Sequence, residues 1–297
     1  MFRSLGTAVA ALVLSTSAAL AEWSPLLTPQ ELGHMIEEDE PVILDIRSAG
    51  AYAEGHVEGA VNVPYHAWRG PETNPGALID EDKLSFLLSE AGVEPDVPVI
   101  VTYAGKGTLD FGSAARVYWT LKSAGVAQIA ILNGGIAAWK TAGLELSTEE
   151  GGNFPSDLEF TFARTWRVDR AGVQAILEGE RAAQLVDARP EAFFTGARKQ
   201  QAAAWAGSLG GAVNLVHEAF FGGPVLNATR EGVLQALAEA GVDPGASEIV
   251  SFCNTGHWAA TNWFVLSEIA GIEGVKLYPE SMVGWTQSAE RVAQITR

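Results

Sequence analysis

The chain carries one cysteine, Cys253. It follows the apolar run Glu248-Ile249-Val250-Ser251-Phe252 and opens Asn254-Thr255-Gly256-His257-Trp258, after which residues 259–266 are apolar with a helical period. This reads as a strand, a tight turn and a helix, with a thiol at the turn. Such a turn gathers successive backbone N–H groups around one spot, and a helix N-terminus adds positive potential there. Both favour the thiolate, which is the nucleophilic form. With no intrachain disulfide partner, Cys253 is either inert packing or a reactive centre.

Its neighbours divide by chemistry. Gly256 permits a backbone conformation that other residues resist. Asn254 and Thr255 offer side-chain donors to the site, or simply the turn chemistry both types favour. His257 is the titratable neighbour; it could stabilise the thiolate, bind an anion or protonate a leaving group, and the plainer reading is a half-exposed histidine at a helix start. Trp258, with Trp263 and Trp285, offers an apolar wall, although core packing is the simpler role for the last two. No metal site is expected: there is no cysteine pair, and His34, His56, His66, His217 and His257 lack ligand-like spacing.

The elements that must position these residues occur twice. Pro41-Val42-Ile43-Leu44-Asp45-Ile46-Arg47 recurs as Ala183-Gln184-Leu185-Val186-Asp187-Ala188-Arg189. Gly59-Ala60-Val61-Asn62-Val63 recurs as Gly211-Ala212-Val213-Asn214-Leu215, and Val99 to Tyr103 recurs as Ile249 to Cys253. Ile131-Leu132-Asn133-Gly134-Gly135 with Trp139 recurs more loosely as Lys276-Leu277-Tyr278-Pro279-Glu280 with Trp285. A period this long means a duplicated domain. Thr28 followed by Pro29 reads as a capped helix start, with Val168-Asp169-Arg170-Ala171 as its counterpart. Apolar strands alternating with helices predict an α/β fold: two tandem domains, each an open, largely parallel sheet with helices on both faces. The predicted boundaries are 22–146 and 166–297, joined by a polar, Gly-rich linker at 147–165. Tyr103 holds the first-half position of Cys253, and the loop after it, through Phe111, reads as longer and has no thiol.

Arg3, an apolar stretch to Leu20 and Ala19-Leu20-Ala21 read as a cleaved secretory signal over residues 1–21, which predicts a periplasmic protein without stable membrane insertion after cleavage. A net charge of −17 argues against nucleic acid or anionic membrane partners. Any anion site must therefore be local, made of backbone amides and a few cations.

Taken together, Tyr52…His56-Val57-Glu58-Gly59-Ala60-Val61-Asn62-Val63, Asn133-Gly134-Gly135…Trp139, Asp187-Ala188-Arg189 and the loop from Cys253 to Trp258 resemble a tandem rhodanese-type sulfurtransferase. The resemblance implies two rhodanese-like domains, of which the C-terminal one is catalytic. The first is then a packing partner that helps wall the site. It implies a Cys253 persulfide, charged by a small sulfur-containing anion such as thiosulfate and discharged to cyanide, a thiol or a sulfur-accepting protein, with no cofactor. It implies Arg189 as a ligand of the donor's anionic group, against the alternative of an ion pair with Asp187. Asn254, Thr255, Gly256, His257 and Trp258 would line the donor site. Departures are the loop Cys-Asn-Thr-Gly-His-Trp, which shares the glycine but has no Lys or Arg such as thiosulfate-specific members tend to carry (Cys-Arg-Lys-Gly-Val-Thr, against Cys-Gly-Ser-Gly-Val-Thr in mercaptopyruvate-specific ones), Glu58 in place of proline, and Ser208 where a histidine like His56 is expected. The related phosphatase chemistry needs Cys-x5-Arg, and Ala259 stands at that arginine position. The alternative to an enzyme is a persulfide carrier that delivers sulfur to one partner protein.

Overall fold

The computed structural model describes residues 23–152 and 155–287 and the backbone of 295–296, so the signal expected at 1–21 and linker residues 153–154 lie outside it. Each half builds one parallel sheet. The first orders its strands Leu26–Leu27, Ile129–Leu132, Val99–Thr102, Val42–Asp45, Val61–Asn62, every neighbour parallel. The second orders Val275–Leu277, Ile249–Phe252, Gln184–Asp187, Val213–Asn214, again all parallel. A parallel bridge from Arg167 to Leu277 stands where the first half has its edge strand. The central strands are buried on both faces, which is why they read as continuous apolar runs rather than alternating ones. The helix starts follow their caps: Thr28 and Glu31 form a capping box ahead of Pro29–Glu38, and Asp169 caps Arg170–Leu177.

Superposing the repeats corrects two readings. Pairing of the last strands sets Ile131 opposite Val101 and Leu277 opposite Ser251, so Ile131 corresponds to Leu277, not Lys276. The looser repeat was thus one residue out of register along the strand, although Trp139 and Trp285 do correspond. The two central loops also have equal length, because helix Thr108–Ser123 begins five positions after Tyr103 and helix Trp258–Phe264 five after Cys253. Thr108-Leu109-Asp110 looks like loop by composition. It forms the first helical turn after Gly107, and Asp110 Oδ2 ties that turn back to the loop by accepting the Lys106 N–H at 3.1 Å.

The halves share a core. Helix Thr108–Ser123 lies against Trp258–Phe264 across the domain boundary, with Phe111 5.6 Å and Tyr118 5.0 Å from the Phe264 ring, both edge-on. These side chains are fully or almost fully buried, each worth about 1.5–3 kcal/mol. The linker is no free spacer either. Phe160 and Phe162 are buried, and their N–H groups donate to Ser85 Oγ and Glu81 Oε1 of helix Glu81–Glu90. A hairpin of the second half, Phe221–Gly222 with Val225–Leu226, reaches back to Asn133, whose side-chain amide both donates to and accepts from Leu226. The loop that carries Cys253 is therefore held at a packed seam between the halves.

Candidate active site

Cys253 follows the central strand Ile249–Phe252, is 1% exposed, and lines a cavity of about 370 Å³ at that seam. From the second domain the cavity is lined by Cys253, Asn254, Thr255, His257, Trp258 and Gln200. Tyr65, Arg69 and Leu109 line it from the first. Gly256 lies beneath, with φ +69°.

The loop is pinned from one side by Ser281. The Cys253 N–H and the Gly256 N–H both donate to Ser281 Oγ, at 2.9 and 3.1 Å, and that hydroxyl donates to the Tyr278 carbonyl. Ser281 sits at φ 52°, a left-handed conformation costly for a side-chain-bearing residue. Its first-half counterpart is Gly135, at φ 56°. The corrected register exposes this substitution: glycine where there is no thiol, serine where a hydroxyl is needed to hold the loop. The Cys253 and Asn254 carbonyls accept from Met282 and Val283. Among the described residues, the N–H groups of Asn254, Thr255, His257 and Trp258 donate to no protein acceptor. An anionic sulfur on Cys253 is the kind of ligand such a set of amides suits.

Arg189 is not in the cavity wall. Its Nε and Nη2 clasp Asp187, Nη2 also donates to the Gly207 carbonyl at 2.9 Å, and Nη1 reaches Asn254 Oδ1 at 3.3 Å. Arg47 clasps Asp45 and the Gly55 carbonyl the same way, and Asn62 and Asn214 each tie the Asp and Arg carbonyls together. The motif is a strand-end brace common to both halves. In place of the expected direct donor contact, the second copy adds a hold on Asn254. Ser208, standing where His56 does, donates to Asp187 Oδ2 at 2.6 Å and completes that brace.

His257 is a bridge. A carbonyl can only accept, so Nε2 carries the proton given to the Leu109 carbonyl, and Nδ1 accepts from the Tyr65 hydroxyl at 2.9 Å. Burial first, then Arg69, His217 and Arg116, push its pKa down to about 3, against the opposing Leu109 bond. With both nitrogens engaged and the ring neutral, no proton is left for acid catalysis near neutral pH. Donor turnover between pH 5 and 8 is expected to show no ionisation from this ring, so His257→Gln should keep the shape of the wild-type pH–rate profile. The folded pKa lies below the unfolded one, so the unfolded chain takes up the proton first. Stability contributed by the neutral ring is present above about pH 6.5 and declines as pH falls toward 3. Thermal melts across that window should show a weaker acid dependence in His257→Gln.

Trp258 stacks on His217 with ring centroids 4.9 Å apart and meets Phe193 edge-on. It lines the cavity, whereas Trp263 and Trp285 lie in the core. Beneath the loop is Arg116, from the first domain. It is 1% exposed and has no carboxylate partner among the described residues. Nη1 donates to the Gly256 carbonyl at 3.4 Å and Nη2 to that of Gly76 at 3.0 Å. Burial, and secondarily Arg69, draw its pKa down to about 9, which leaves it mostly charged at neutral pH. Arg69 donates through Nη2 to the Thr255 carbonyl at 2.7 Å. Sequence reading missed Tyr65, Arg69, Leu109 and Arg116 because nothing local ties them to a loop so distant along the chain. Among the described residues no group of three His, Cys, Asp or Glu could hold a metal, and no helix is long and apolar enough to cross a membrane.

The model of the rhodanese-like domain family matches residues 28–142 and 170–288. The chain is 34% identical over 260 residues to a putative thiosulfate sulfurtransferase of Synechococcus elongatus, covering 82% of this chain and 76% of that one. It is 30% identical to the thiosulfate sulfurtransferase of Azotobacter vinelandii, covering 88% and 93%. Among solved structures it is similar to the 3-mercaptopyruvate sulfotransferase SseA of Escherichia coli, with a TM-score of 0.72, 25% identity and coverage of 87% and 98%.

Proposed function

The chain belongs to the rhodanese-like family and is a sulfurtransferase, and on that footing we propose that it moves a sulfane sulfur through a Cys253 persulfide. The Cys253 thiolate attacks the outer sulfur of a thiosulfate-type donor. A new S–S bond forms, the donor's S–S bond breaks, and its electron pair leaves on sulfite. A nucleophilic acceptor such as cyanide then takes the outer sulfur and returns the thiolate. The observation that carries this reading is the loop itself. It joins a thiol that lines a cavity, four backbone N–H groups without acceptors among the described residues, and a serine that fixes the turn. Those amides would hold the negative outer sulfur of the persulfide, and Arg116 beneath them adds fixed positive charge.

Arg189 acts one step back, as a positioning residue that sets Asn254 and the strand end. Thr255 and Trp258 shape the cavity. Intact-mass analysis of the whole chain after incubation with thiosulfate, mercaptopyruvate and polysulfide separately tests the reading. A gain of one sulfur, lost again on adding cyanide, is the expected result and identifies the donor. No gain with any of the three would overturn it.

A further inference from the structure

Two donors beside Cys253 lack acceptors. Arg69 Nη1 and Trp258 Nε1 are buried without a hydrogen-bond partner among the described residues, and both residues line the cavity. A buried unpaired donor costs about 1–3 kcal/mol, and one on a charged group costs more. Two such donors, on residues of one cavity wall, would suit a ligand rich in acceptor oxygens. Arg69 is held in place at this wall. Its Nη2 is fixed to the Thr255 carbonyl, and its guanidinium lies 5.3 Å from the centre of the Tyr65 ring. The Cys253 loop contributes no cation of its own, and Arg189 is committed to Asp187, Gly207 and Asn254. Leu109, 58% exposed at the rim, and the rings of Trp258 and Tyr65 give the wall apolar surface beside the polar side chains of Gln200, Asn254, Thr255 and His257. A cavity of about 370 Å³ is far more than a bare thiosulfate dianion fills, and falls in the range that holds organic ligands.

We propose that Arg69, supplied by the domain without a thiol, binds the anionic head of the sulfur donor, and that this donor is an organic sulfur anion whose apolar body lies between Leu109 and Trp258. The proposal rests on the sulfur-transfer reading above. For a thiosulfonate, R–SO2–S⁻, the Cys253 thiolate bonds to the terminal sulfur and the S–SO2R bond breaks. The electron pair leaves on the sulfinate, R–SO2⁻, and Cys253 keeps the persulfide; no oxidant or reductant is needed. Negative charge moves from the attacked sulfur onto the oxygens as the bond breaks. An Arg69 Nη1–H at those oxygens therefore binds the transition state more tightly than the ground state.

The test compares single-turnover persulfide formation from thiosulfate and from benzenethiosulfonate, with iodoacetamide as a neutral probe of Cys253 at a pH where the thiol is ionised. Wild type should favour benzenethiosulfonate over thiosulfate by about tenfold, and Leu109→Ala should reduce that preference. Arg69→Met should slow both anionic donors by about tenfold or more, with alkylation by iodoacetamide changed less than about threefold. Arg69→Lys, which keeps the charge but not the fork, should fall between. Unchanged donor rates in Arg69→Met would overturn the assignment. So would an equal loss with donors and iodoacetamide, which would make Arg69 only a loop support. A wild-type preference for thiosulfate would overturn the organic body. If wild type gains no sulfur from any donor, it is the sulfur-transfer reading that has failed, an outcome distinct from all of these.

Discussion

Cys253→Ser takes up no sulfur and releases no thiocyanate from thiosulfate and cyanide, yet folds as the wild type does. The change replaces one buried atom by a slightly smaller one at the end of a fully buried strand. The loop around it keeps every hydrogen bond made through its backbone, including those to Ser281, Met282 and Val283. The hydroxyl can donate or accept, and the unpaired loop amides are acceptable partners, so stability should stay within about 1 kcal/mol. Chemistry does not survive. A serine hydroxyl is barely ionised near neutral pH, and an oxygen nucleophile cannot form the S–S bond that stores the sulfur. Turnover should fall by about 10³-fold or more, the scale seen when a covalent nucleophile is removed. Thiocyanate production in the assay and intact mass before and after donor check this, with a thermal melt to verify the fold. Thiocyanate release at near the wild-type rate would place the chemistry elsewhere. A wild-type persulfide that forms but survives cyanide would instead mark the chain as a carrier.

How much of this was legible in the sequence follows from how local each cause is. The duplicated parallel fold was legible, because buried parallel strands are continuous apolar runs and their Asp-x-Arg ends repeat. The strand–turn–helix around Cys253 was legible for the same reason. Ser281 was not, since a one-residue slip in the weakest repeat set Glu280 opposite Gly135 and hid a serine in a glycine's conformation. The linker looked solvated from its Gly, Ser and Glu content, while two phenylalanines decided its packing. The least legible part was the cation set. A sequence shows that the Cys253 loop lacks a basic residue, but not that Arg69 reaches it from 186 positions away, or that Arg116 lies beneath it from 140. Arg189 was the charged residue that sequence could offer, and its aspartate neighbour already claims it.

Gly256→Ala is expected to cost about 3 kcal/mol of stability and to lower donor kcat/KM by about a hundredfold. Gly256 has φ +69°, which an alanine adopts only with strain. The space is also filled: a Cβ there would overlap the Pro279 carbonyl oxygen and Arg116 Nη1. Neither can yield cheaply. Pro279 leads into Ser281, whose hydroxyl holds two N–H groups of the loop. Arg116 is buried, carries no counter-ion among the described residues, and donates to the Gly256 and Gly76 carbonyls. Displacing it would leave a buried charge with fewer acceptors, which costs more than the methyl contact itself. Relief must therefore come from the loop, by turning its amides away from Cys253, and activity should fall further than stability explains. The first domain shows that this glycine is specific to the active loop. Its own left-handed glycine, Gly105, stands one position earlier in a loop of the same length, and its fourth loop residue is Lys106. Thermal melts and single-turnover sulfur uptake, both measured well below the variant's melting temperature, separate the two effects. Wild-type uptake in a destabilised Gly256→Ala would mean the loop amides do not hold the persulfide, while full stability and full uptake together would mean the turn around Gly256 is more open than its contacts with Pro279 and Arg116 require.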